Sequence, residues 1–159
     1  QDGVQQVLLN GEDVSGLIRT EEVGNMASAV SGYMPVREKL VELQKQLAAK
    51  ENVIMDGRDI GTCVLPDAPA KIYLTASVEV RAARRYKELL EKGMKADLKE
   101  IEKDIEDRDY RDMHREHSPL KQAEDAVLLD TSSMTLDQVV EEILKIVREK
   151  GYKADGGQA

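Results

Sequence analysis

Residues 53–76, VIMDGRDIGTCVLPDAPAKIYLTA, constrain the fold more than any other stretch. Two apolar runs, VIMD and KIYLTA, enclose a loop carrying Asp56, Arg58, Asp59 and Asp67. Runs this short and apolar read as strands buried on both faces, the habit of a parallel sheet. A third run, VLLD at 127–130, repeats the pattern. Helical stretches separate the runs. Ser77 suits the N-cap of a helix from Val78 to about Lys92 that Gly93 ends, and Asp97 opens a charged helix to about His117, limited by Pro119. Thr135 and Gln138 form a capping-box pattern for a last helix. Its Leu136, Val139, Val140, Ile143, Leu144 and Val147 make one apolar stripe. Strands alternating with helices predict an α/β fold, a parallel sheet with flanking helices. In such sheets ligands bind beyond the C-terminal ends of the strands, which is where DGRDIG sits.

The preceding third is organised differently. Residues 4–9 followed by NGED predict a short strand and a turn. A helix is predicted from Thr20 to about Gly32, and a second, begun by Pro35, from Val36 to about Lys50 with Leu40, Leu43 and Leu47 at helical spacing. The stretch from Gly151 reads as a frayed tail. With five Tyr and neither Phe nor Trp, any core must be aliphatic. A net charge of −8 argues against broad binding to nucleic acid or to an anionic membrane, and no apolar run has the length of a membrane span. A lone Cys63 excludes a disulfide framework and points to a reducing compartment, the cytoplasm.

An acidic chain still holds a small anion if its arginines converge, and six of the ten Arg fall in residues 81–85 and 108–115. On a helix Arg108, Arg111, Asp112 and Arg115 share one face, as do Arg81, Arg84 and Arg85 on the earlier one. Arginine presents the planar fork of donors that phosphate accepts, and Asp112 within that face suits either orienting a guanidinium or accepting from a ligand hydroxyl. The same pattern also describes an ordinary solvated face laced with weak ion pairs. His114 and His117 have neither a Cys nor a third His to support them as metal ligands. The Gly11-to-Gly16 spacing mimics a phosphate loop, but Leu17 and Ile18 stand at its Lys and Ser/Thr positions.

GEDVSGLIRTEEV, ASAVSGYMPVRE, the 53–77 stretch, RAARR, DRDYRDMHREHSPL and DAVLLDTSSMT together resemble, in order, the bacterial cytidylate kinases. The resemblance runs from about Val7 to Val147. It implies a P-loop kinase-like parallel sheet with flanking helices, incomplete at its N-terminus, and a small CMP-binding insert. The insert would be mostly residues 1–50, the core domain 51–150 with a lid around 84–115, and the tail 151–159. The implied activity is transfer of the ATP γ-phosphoryl group to CMP or dCMP with Mg²⁺, by a monomer.

By the same resemblance Ser28, Arg37 and Asp59 hold the cytosine edge. Arg58, Arg108 and Arg115 grip phosphate, with Asp112 beside the sugar. Arg81, Arg84 and Arg85 stand at the base of the lid over ATP, and Asp56 lies near magnesium-bound water. The family's GxxGxGK[ST] loop is not among these 159 residues. This polypeptide alone is therefore expected to show little or no kinase activity, with a non-catalytic CMP-binding remnant as the alternative.

Overall fold

The computed structural model describes residues 6–18, 20–30 and 33–151, without the side chains of Glu21, Asn25 and Ser28. The chain separates into two compact units, residues 1–53 and 54–159.

The first unit holds a β-hairpin and two helices. β1 (Leu8–Leu9) pairs antiparallel with β2 (Glu12–Asp13), Leu9 opposite Glu12. The connecting Asn10 and Gly11 both have positive φ, 52° and 89°, as a two-residue hairpin turn of the Asn-Gly kind demands. The expected strand over 4–9 is thus shorter among the described residues, and its first two positions lie outside them. α1 (Glu21–Val30) starts after Thr20, whose Oγ1 accepts from the Val23 amide, and α2 (Met34–Ala48) has Pro35 in its first turn. Leu40, Leu43 and Leu47 each stay about half exposed, and no residue of α2 is buried.

In the second unit β3 (Ile72–Thr75) and β4 (Val127–Asp130) pair in parallel, from Ile72 opposite Val127 to Thr75 opposite Asp130. Parallel neighbours need a crossover connection. It is made by α3 (Val78–Glu91) and α4 (Leu98–His114), which pack against each other, and α5 (Leu136–Glu149) follows β4. Ser77 Oγ accepts from the Val80 amide as the N-cap of α3. At its other end Gly93, at φ 73°, donates to Leu90 O while Met94 donates to Leu89 O, the paired bonds of a Schellman stop. Thr135 and Gln138 form the reciprocal capping box of α5.

Among the described residues the buried apolar ones are Val64, Ala76, Ala82, Leu129 and Ile146, all in this unit. Two polar residues join them. Thr131 donates through its amide and its hydroxyl to Thr75 O at 2.8 and 3.0 Å, closing the sheet beyond its last pair. Lys71 donates to Pro66 O and, at 2.8 Å, to Asp125. Between α3 and α4, Arg81 meets Asp109 through both terminal nitrogens, at 3.0 and 2.5 Å.

Two expectations are corrected. VIMD is not a strand, because among the described residues β3 pairs with β4 and nothing forms a ladder with 53–56. Ile54 is accordingly fully exposed, at 103%. α4 ends at His114 and not near His117: Arg115 turns extended (φ −67°, ψ 144°), and the Leu120 amide folds back onto Asp112 O at 2.7 Å. The stripe of α5 is only partly covered, with Val139, Ile143 and Val147 half-buried but Leu136, Val140 and Leu144 exposed; the buried residue of the helix is Ile146, beside the stripe.

Three stability outcomes follow from these contacts. Thr135→Ala removes half of the capping box and should cost about 1 kcal/mol, a drop of roughly 2–4 °C in the unfolding midpoint. Arg81→Lys keeps the charge but loses the fork, and a similar loss of about 1 kcal/mol is expected at this partly exposed pair. The Lys71 ammonium holds the Asp125 carboxyl below its usual value, mainly through their hydrogen bond. That contribution is complete above the ordinary carboxylate range and is lost as the pH falls through the depressed value. Thermal unfolding followed below about pH 4 should therefore weaken more steeply in the parent chain than in Lys71→Met.

Candidate functional site

The charged loop runs into a single π-helical turn, Ile60–Val64. The Leu65 amide reaches back to Ile60 O at 2.7 Å, and Asp59 O accepts from the Cys63 amide at 2.8 Å. π-Helical turns are rare, and most are single bulges within α-helices, whereas this one stands alone between non-helical Asp59 and Leu65. Here Val64 is buried at the far end of the turn, while Asp59 is half-buried and Asp56 and Arg58 are exposed at its entrance.

Arg58 reaches across 54 residues of sequence to α4. Its Nε donates to Asp112 Oδ2 at 2.9 Å, and Arg108 Nε lies 3.9 Å from the same oxygen, one helical turn away. Asp112 is 19% exposed, against 41% for Arg58 and 63% for Arg108, so the carboxylate sits beneath two guanidinium groups that face water. One carboxylate between two arginines leaves a net positive charge. One turn of α4 thus meets the loop, and the candidates Arg58, Arg108 and Asp112 form one cluster.

Arg115 stands at the end of α4. Its Nε donates to Ser118 O at 2.6 Å, and Ser118 takes the left-handed conformation, φ 48°. The short loop preceding Pro119 therefore turns a carbonyl toward the arginine. Arg111 does not join the group, since its Nε bonds its own helix at Asp107 O. His114 stacks on Tyr110 with ring centroids 4.1 Å apart. Among the described residues no three His, Cys, Asp or Glu side chains converge to hold a metal ion.

The α3 arginines are all engaged by protein acceptors. Arg81 binds Asp109, and that hydrogen bond is the main cause that holds its guanidinium above its ordinary pKa. Arg84 Nη2 donates to Thr131 O at 2.7 Å and to Met134 O at 3.3 Å, tying α3 to the segment after β4. Arg85 pairs with Glu88 one turn along. In the first unit Arg37 is half-buried on α2, and the Ser28 side chain lies outside the described residues. Asp109 and Ser118 did not emerge from the sequence as partners. The alternation of Asp107, Asp109 and Asp112 along one arginine-rich helix, and a Ser-Pro step just past its end, were the available signals.

Among the described residues no helix is long and apolar enough to cross a membrane. The family model for cytidylate kinase matches residues 1–149. Proteins named cytidylate kinase from Lactobacillus johnsonii and Lactobacillus gasseri are each 57% identical over 150 residues, which is 94% of this chain and 65% of theirs. One of the same name from Cupriavidus necator is 50% identical over 143 residues, 90% of this chain and 64% of its own. The chain thus spans about 65% of the length of the first two of these relatives. A match over nearly every residue, with the loop and the α4 arginines inside it, establishes that this chain belongs to the cytidylate kinase family.

Proposed function

We propose that the protein represented by this chain transfers the γ-phosphoryl group of ATP to CMP or dCMP. The observation that carries the reading is the convergence of Arg58, Arg108 and Asp112, because phosphoryl transfer asks a protein chiefly for positioning and for positive charge around the transferred group. An oxygen of the CMP phosphate attacks the γ-phosphorus in line, and the bond from that phosphorus to the β,γ-bridging oxygen breaks to release ADP. The nucleophile is already ionised, so no general base is required. Arg58, Arg108 and Arg115 hold the CMP phosphate and offset its charge. Asp59 accepts from the exocyclic amine of cytosine, which uracil lacks. Ser28 and Arg37 are assigned to the cytosine edge on sequence resemblance alone.

On the ATP side the same reading draws on Arg81, Arg84 and Arg85, which exchange Asp109, Thr131 and Glu88 for phosphate oxygens. Asp56 is the carboxylate that would hold the waters of a magnesium ion on the ATP phosphates, where the ion would offset phosphate charge. A monomer in the cytoplasm completes the reading.

The decisive experiment has two halves. Calorimetry on this chain with CMP, UMP and AMP should give CMP binding at least roughly tenfold tighter than UMP. Asp59→Ala should erase that preference. ADP release by the protein expressed from its own gene should depend on CMP or dCMP, and not on AMP. Equal heats for the three nucleotides would remove the base-recognition assignment, while selective binding without turnover would favour a CMP-binding protein without chemistry.

A further inference from the structure

We infer that Asp112 is a positioning residue, whose task is to hold the Arg58 fork in place before any phosphate arrives. The inference rests on the phosphate-binding reading above and assigns its internal mechanics. Arg58 lies at an exposed loop entrance, where a free guanidinium samples many rotamers and must lose that freedom on binding. The Asp112 contact is made through Nε, the inner donor. A guanidinium carries five N–H groups in one plane, and committing Nε leaves the four on the two terminal nitrogens, the edge that grips phosphate bidentately.

Asp112 is itself well placed for such a task. It is mostly buried, stands on a regular helix, and its backbone carbonyl is bonded by the Leu120 amide at 2.7 Å. Arg108 approaches the same oxygen from the next turn, at 3.9 Å, so the carboxylate is drawn between two positive groups and fixed there. Arg115 is held in the same way, by Nε to Ser118 O at 2.6 Å. Two arginines near the end of α4 are thus tethered by their inner donor to acceptors at two different places. A carboxylate whose purpose was only to accept from a ligand hydroxyl would have no need of the Arg58 bond.

Asp112→Asn and Asp112→Ala, each with its thermal midpoint recorded, test this on the chain itself. The first readout is the ¹⁵N–¹H resonance of Arg58 Nε, assigned by its loss in Arg58→Lys. It should exchange slowly with water in the parent chain, persist in Asp112→Asn, whose side-chain oxygen still accepts, and collapse into the bulk arginine signal in Asp112→Ala. The second is the ratio of affinities for CMP and cytidine, which isolates the phosphate. That ratio should fall about tenfold in Asp112→Ala and by less than about threefold in Asp112→Asn, since any loss at the sugar is shared by both compounds and cancels.

An unaltered Arg58 signal in Asp112→Ala overturns the inference. So does an equal loss of CMP and cytidine affinity, which would make Asp112 a sugar contact. If the parent chain binds neither compound, the proposed function is judged by CMP-dependent ADP release from the protein expressed from its own gene, and the Arg58 signal alone then decides whether the tether exists.

Discussion

The parallel pairing of Ile72–Thr75 with Val127–Asp130 is the constraint from which the second unit follows. Parallel strands cannot be joined by a tight turn, so the chain must leave the end of β3 and return to the start of β4. It does so through α3 and α4, and the return brings α4 back to the loop that precedes β3. The distant meeting of Arg58 with Asp112 is a product of that route. Thr131 seals the pair by bonding Thr75 O twice, and Arg84 covers the Thr131 carbonyl in turn, so the end of the sheet and the flank of α3 are joined through one buried threonine.

Arginine chemistry divides along the same lines. On α3 the guanidinium groups spend their terminal nitrogens on the protein: Arg81 on Asp109, Arg84 on Thr131 and Met134, Arg85 on Glu88. Around the end of α4, Arg58 and Arg115 spend the inner nitrogen instead. The distinction matters because a fork gripped at its tip must release its partner before it can take a phosphate, whereas one gripped at its base is presented with its donors aligned. Net charge conceals it entirely. A chain of formal charge −8 still builds a local positive cluster, since the field near a bound phosphate is set by the few groups within a Debye length of about 8–10 Å.

Local signals in the sequence translated well wherever the cause was local. Ser77, Gly93, Thr135 with Gln138, Pro35 and the Asn-Gly turn each act within a few residues of themselves, and each takes its expected place. Elements that depend on a remote partner translated unevenly: KIYLTA and VLLD supply β3 and β4, whereas VIMD and the end of α4 depart from expectation. VIMD has the composition of a buried strand yet forms no ladder among the described residues, because a strand exists only as half of a pair. The end of α4 shifted from His117 to His114 since the Leu120 amide competes for the Asp112 carbonyl, an exchange that no periodicity displays.

For the site, helical spacing alone placed Arg108 and Asp112 on one face, and residue chemistry marked DGRDIG as a functional loop. The order of motifs along the chain carried the family, which the match over residues 1–149 bears out. What only the tertiary structure decided is which acceptor each arginine takes. Arg111 shares the helical face but bonds its own backbone, Arg81 finds Asp109, and Arg58 crosses to Asp112. Such pairings are chosen by distances of a few ångströms between side chains far apart in sequence. The sequence therefore determined which charged groups the chain owns and which helix carries them, while the crossover between two parallel strands decided where they meet.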